Sequence, residues 1–149
     1  MKKLIALSLF SLLLIVSCDN VQSKKQNESD INELPFSEVE TVPLFPGCSE
    51  NASDLEQRKC FQQKIQEHIA VNFRYPEIAQ EMGIQGRVFV DFTINQSGFI
   101  TDIQARGPDE NLEIEAKRII GLLPRIKPGT QDEKPVNVPF SIPITFKLQ

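Results

Sequence analysis

Side chains able to do chemistry are sparse in this chain of 149 residues. It has one histidine, His68, and three cysteines, Cys18, Cys48 and Cys60. Zinc takes four ligands, at least three of them from the protein, so no metal site is expected. His68 has no paired nucleophile in a recognisable motif, and a solvent-exposed place on a helix is the expectation for it. Asp91, Asp102 and Asp109 are candidates for general acids. The first two fall on strand positions and the third in a loop, where facing water or capping a helix at Leu112 is the simpler role. Gly83-Ile84-Gln85-Gly86 lacks the preceding strand, the following helix and the lysine of a phosphate-binding loop. No nucleophile–base pair is visible. The chain therefore reads as a non-enzyme that needs no cofactor.

The first cysteine has a different context from the other two. Lys2 and Lys3 precede an apolar run, Leu4 to Val16, of about 13 residues. A membrane-spanning helix needs ~20, so the run fits the apolar part of a secretion signal. Leu14-Ile15-Val16-Ser17-Cys18 is similar to a bacterial lipobox, in which the cysteine thiol accepts lipid and becomes the mature N-terminus. Several acyl chains on Cys18 would hold the protein to a membrane, where a single chain binds only marginally. The expectation is a signal peptide at 1–17 and a lipid anchor at Cys18, in a bacterial envelope. The formal net charge is −4, and loss of Lys2 and Lys3 brings it nearer −6. Such a balance excludes nucleic acid as a partner.

Cys48 and Cys60 remain after processing. In an exported protein a leftover pair points to a disulfide, with two free thiols as the alternative. The bridge would close a loop of about a dozen residues, worth on the order of 3 kcal/mol in the chain-entropy model.

The elements that would carry these residues follow from pattern. Asp19 to about Leu34 is polar and charged, a tether composition, and 18–46 is taken as tether, ahead of a domain at 47–149. Ser53 with Glu56 marks a helix start, and Phe61, Ile65, Ile69 and Phe73 form its apolar stripe. Tyr75-Pro76 interrupts it before a short second helix that stops at Gly83. Val88, Val90, Phe92 and Ile94 alternate along a strand. Asn95-Gln96-Ser97-Gly98 turns the chain into a second strand ending near Arg106. Leu112, Ala116, Ile119, Ile120 and Leu123 share one helical face. From Val136 to Leu148 every second residue is apolar, which predicts a long, half-buried last strand. A hairpin, a helical crossover and a final strand give an α+β fold: a three-stranded antiparallel sheet with helices packed on one face. The expected core comprises Val88, Val90, Phe92, Ile119, Ile120, Leu123, Phe140, Ile142, Ile144 and Phe146.

A set of spaced motifs covers Tyr75 to Leu148. It comprises Tyr75-Pro76-x-x-Ala79, Gly83-Ile84-x-Gly86-x-Val88, the Gly98 turn, Leu112 to Ala116 with Arg118, Leu123-Pro124, Lys127-Pro128-Gly129 and Pro143-Ile144-x-Phe146-x-Leu148. Together they resemble the C-terminal domain of the TonB family of envelope energy transducers, here with an extra N-terminal helix. The resemblance implies the α+β fold and binding of the extended TonB-box peptide of outer-membrane receptors, beside the last strand. Members of that family also carry a spanning helix coupled to a proton-driven motor and a long proline-rich spacer. Here the apolar run is short and the tether, about 28 residues with a span of ~30 Å, has few prolines. Binding of receptor or other envelope-protein segments in TonB-linked transport is thus the leading expectation. Direct energy transduction and a self-associating structural lipoprotein, a homodimer through the same edge, are the alternatives.

The last strand suggests how such binding works. Pro139 and Pro143 both lack a backbone donor, and both are odd-numbered, so they remove donors from one edge. That edge is then the free one. Ser141 and Thr145 keep outward donors on it, and an added peptide strand can read them. Arg125, Lys127 and Lys134 form a second candidate surface, a basic loop suited to an acidic partner.

Overall fold

The computed structural model describes residues 34–148. The expected signal peptide at 1–17, the lipid-accepting Cys18 and the first part of the tether lie outside the described residues. The elements are α1 (Asp54–Asn72), α2 (Glu77–Glu81), β1 (Gly86–Ile94), β2 (Ile100–Arg106), α3 (Glu110–Gly121), β3 (Thr130–Gln131), β4 (Lys134–Pro135) and β5 (Val138–Phe146). β2, β1 and β5 form an antiparallel three-stranded sheet in that order, and β3 with β4 forms a small separate hairpin. The fold is α+β, as the patterns require.

β1 is the centre of the sheet because its even residues are the most consistently apolar. Val88, Val90, Phe92 and Ile94 are all buried against the helical layer. α3 contributes Leu112, Ala116, Ile119 and Ile120 to the same layer. Its start is fixed by Asp109, whose carboxylate accepts the Asn111 N–H at 2.9 Å. Leu123, Ile144 and Phe146 are buried as expected, whereas Phe140 and Ile142 are only half-buried.

The hairpin between β1 and β2 carries a bulge. Asp91 pairs with Gln104 and Thr93 with Thr101, so Asp102 and Ile103 together face Phe92. Asp102 takes a φ of 56° to accommodate the extra residue. At the turn, Gly98 has φ 82°, and a Cβ there would sit 1.9 Å from the Ile126 carbonyl oxygen. The close approach lets the Ile126 N–H donate to the Gly98 carbonyl at 2.9 Å and buries Ile126.

α1 begins where the capping pattern places it. The Ser53 Oγ accepts the Glu56 N–H, and the Glu56 carboxylate accepts the Ser53 N–H at 3.0 Å and its hydroxyl at 2.7 Å. Only Phe61 and Ile65 of α1 are fully buried, too little apolar area to hold nineteen residues alone. Polar ties supply the rest. Arg58 donates to the Phe36 and Val39 carbonyls. Arg118 of α3 donates to the Asn72 carbonyl at 2.5 Å, and its guanidinium pairs with the buried Glu115 at 2.7 Å. Glu115 also accepts the Arg74 N–H at 2.9 Å. His68 is not the exposed helix residue expected: it is half-buried, and its Nε2 donates to the Ile119 carbonyl at 2.9 Å, tying α1 to α3.

The expected tether at 18–46 is corrected in its last part. Val39, Val42, Leu44 and Phe45 are buried. Thr41 exchanges two backbone hydrogen bonds with Thr130, and Leu44 two with Lys127. Residues 34–46 therefore belong to the folded unit. Their apolar side chains, four of the last eight residues of that stretch, find a surface on the 127–138 segment, which a reading by mean polarity overlooks.

Candidate functional site

β5 is the exposed edge of the sheet. Its register on β1 is unbroken: Pro139 faces Thr93, Ser141 faces Asp91, Pro143 faces Phe89 and Thr145 faces Arg87. Which way its backbone groups point can be read from β1. The Asn95 N–H donates to Phe99 across the hairpin at 2.9 Å, and the Thr93 carbonyl accepts the Thr101 hydroxyl at 3.5 Å. The odd groups of β1 thus face β2, and alternation turns its even groups to β5. Odd residues of β5 pair with odd residues of β1, so the odd groups of β5 point away from the sheet. Both prolines sit where no ladder donor is needed. One outward group is met within the chain: the Asn137 carbonyl, one residue before β5, accepts the Leu34 N–H at 2.9 Å. Beyond it, the edge offers carbonyls at Pro139, Ser141, Pro143 and Thr145, and donors at Ser141 and Thr145. All four residues are exposed.

Beside this edge lies a groove of about 500 Å³ between α1 and β5. Phe61, Ile65, Phe36, Phe140 and Ile142 form its apolar walls, Gln62 and Gln66 its polar rim on α1, and Pro139 and Ser141 its border on the strand. The aromatic rings are a packed group: Phe61 lies 5.0 Å from Phe140 and 5.4 Å from Phe36, and Phe140 is stacked on Phe92 at 5.4 Å between centroids. The groove explains why Phe140 and Ile142 stay half-buried: no helical side chain covers their outer half.

The disulfide joins Cys48 to Cys60 across a Cα separation of 6.0 Å. It pins the Phe45–Cys48 turn to α1 one residue before Phe61, and so fixes the wall of the groove. The basic loop residues are not brought together as a surface. Arg125 donates to the Ser97 carbonyl at 2.9 Å and lies over the Phe99 ring, Lys127 pairs with Glu50 at 2.9 Å, and Lys134 is exposed on β4. Asp91 pairs with Arg106 at 2.8 Å on the outer face of the sheet. Residue patterns did not reveal Phe36 or the groove, because the wall is assembled from three segments far apart in the chain. The half-apolar strand bordered by two prolines was the one signal of an uncovered edge.

Comparison with known proteins agrees with this architecture. The family model described as Gram-negative bacterial TonB protein C-terminal matches residues 71–148. Protein TonB of Helicobacter pylori is 52% identical over 44 residues in two strains, covering 30% of this chain. The match spans only 16% and 15% of those relatives' length. The solution structure of the Helicobacter pylori TonB C-terminal domain is 32% identical, with a TM-score of 0.49, over 67% of this chain and 87% of that one. Since the family model covers more than half of the sequence and ends with the edge strand just described, this chain belongs to the TonB C-terminal family.

Proposed function

We propose that this chain is a non-enzymatic, lipid-anchored module of the bacterial envelope, facing the periplasm, that takes up extended peptide segments by adding them as a strand to the β5 edge. The partner class is the TonB-box-like segment of an outer-membrane receptor, or a similar segment of another envelope protein, in TonB-linked transport. The observation that carries this reading is the run of outward backbone groups from Pro139 to Thr145 on a solvent-exposed edge. An added strand gains main-chain hydrogen bonds there without disturbing the existing ladder. Membership of the TonB C-terminal family supports it.

The test is direct. Ser141→Pro deletes an outward donor at a position where proline is compatible with the ladder. Binding of a synthetic peptide carrying a receptor TonB box should weaken about tenfold, with the thermal midpoint of the protein unchanged. Equal affinity in the variant would refute edge binding. Anchoring is tested separately by the mass of the mature N-terminus. A diacylglyceryl group on Cys18 is expected, and an intact Met1 start would instead favour a direct energy transducer.

A further inference from the structure

We propose that the groove between α1 and β5 selects the side chains of the strand that adds there. Its occupant is an extended segment of an envelope protein with two large apolar residues spaced two apart and a carboxylate further along. The inference deepens the peptide-binding reading above and rests on it.

In an added strand, the residue paired with Ser141 turns its side chain to the outer face of the sheet, as Ser141 does. Its two neighbours, opposite Phe140 and Ile142, turn toward the helices and enter the groove. There they meet Phe61 and Ile65 of α1. Gln62 and Gln66 rim the groove with neutral amides, so a charged side chain entering it would lose water and gain no counter-charge. Apolar side chains, by contrast, would cover the exposed halves of Phe140 and Ile142. An extended backbone is required as well, since a helix satisfies its own polar groups and would leave the outward groups of Pro139 and Ser141 unmet.

Charge sets the other end of the pattern. Arg87 faces Thr145 in the register, and Lys147 follows just past the strand. Both are exposed, and neither has an ion-pair partner among the described residues. The residue of the added strand that pairs with Thr145 shares their face, four positions from the one at Ser141. A carboxylate there complements both cations. A second copy of this chain fits less well. Two β5 edges paired about Ser141 would oppose Pro139 to Pro143, leaving those rungs with no donor on either side, and would bring no carboxylate to Lys147.

The experiment measures binding of labelled synthetic peptides to the full chain in detergent. The reference peptide has valine at both groove positions, glutamate at the Thr145 position and threonine elsewhere. Replacing both valines by serine, or introducing Gln62→Glu with Gln66→Glu, should weaken binding about tenfold. Arg87→Glu with Lys147→Glu should weaken the glutamate peptide and strengthen its lysine counterpart. Ser141→Pro should weaken all peptides alike. Affinity that depends on Ser141 but ignores the valines and the Gln62/Gln66 pair would end the groove inference and leave edge binding standing. Indifference to Ser141→Pro would remove both, as would failure of the reference peptide to bind. A dimer seen by sedimentation, dissolved by Gln62→Glu with Gln66→Glu, would reassign the groove to a second copy and overturn the peptide proposal.

Discussion

At the scale of single residues, the N-terminus of α1 offers a test that separates charge from hydrogen bonding. The Ser53 hydroxyl donates to the Glu56 carboxylate, and the Ser53 backbone N–H adds a second bond; together they hold its pKa below the ordinary carboxylate value, with Lys59 assisting. A carboxyl whose folded pKa is lowered contributes stability that is fully present above its unfolded pKa. That contribution is lost as pH falls through the folded value. Glu56→Gln keeps an acceptor but no charge, so it does not follow this titration. Thermal midpoints of the two proteins should differ at neutral pH and converge in acid; a constant difference across that range would refute the assignment. This box was legible in the sequence because both partners lie within one turn. The disulfide was legible because, after Cys18, only two cysteines remain. His68 was misread for the opposite reason: its partner, the Ile119 carbonyl, arrives from another helix, and nothing on α1 announces it. Arg125 and Lys127 looked like a cluster in sequence, yet each is taken by a neighbour that folding brings to it.

At the scale of elements, β5 shows how far alternation carries. Its even residues face the helices and its odd residues face water, as the period of two requires. What the period cannot tell is how completely the even face is covered. Phe92 on β1 and Phe140 on β5 are stacked on each other, but Phe92 is buried and Phe140 borders the groove. Phe92→Ala should therefore cost about 3–5 kcal/mol and Phe140→Ala about half as much. Denaturant midpoints at constant slope measure both, and equal losses would show that the groove is closed in solution. Other elements left little trace in the sequence. The turn joining β3 to β4 uses Asp132 and Glu133 at φ 49° and 63°, and the bulge uses Asp102. Positive φ at these positions is normally flagged by glycine, so carboxylates there hid both features. The Gly98 turn was legible since only glycine fits against Ile126.

At the scale of the whole molecule, the stretch from 34 to 46 decides what the folding unit is. It packs Val39 and Val42 against Val136 and Val138, places Phe36 in the aromatic group with Phe61 and Phe140, and gives Arg58 two carbonyl acceptors. Burial of Val39, Val42, Leu44 and Phe45 contributes on the order of 6 kcal/mol or more by transferred area. A domain of this size has a net stability of about 5–15 kcal/mol, so the stretch accounts for a large share of it. The family match, which begins at residue 71, would suggest that a fragment starting at Gly47 is generous. The packing says otherwise. A fragment of residues 34–149 should unfold cooperatively on heating, while one of residues 47–149 should melt far lower or without a cooperative transition. Its loss would reach the binding edge too, because Phe36 leaves the groove and Leu34 no longer meets the Asn137 carbonyl at the start of β5. Calorimetry of the two fragments decides the matter: equal midpoints would return residues 34–46 to the tether.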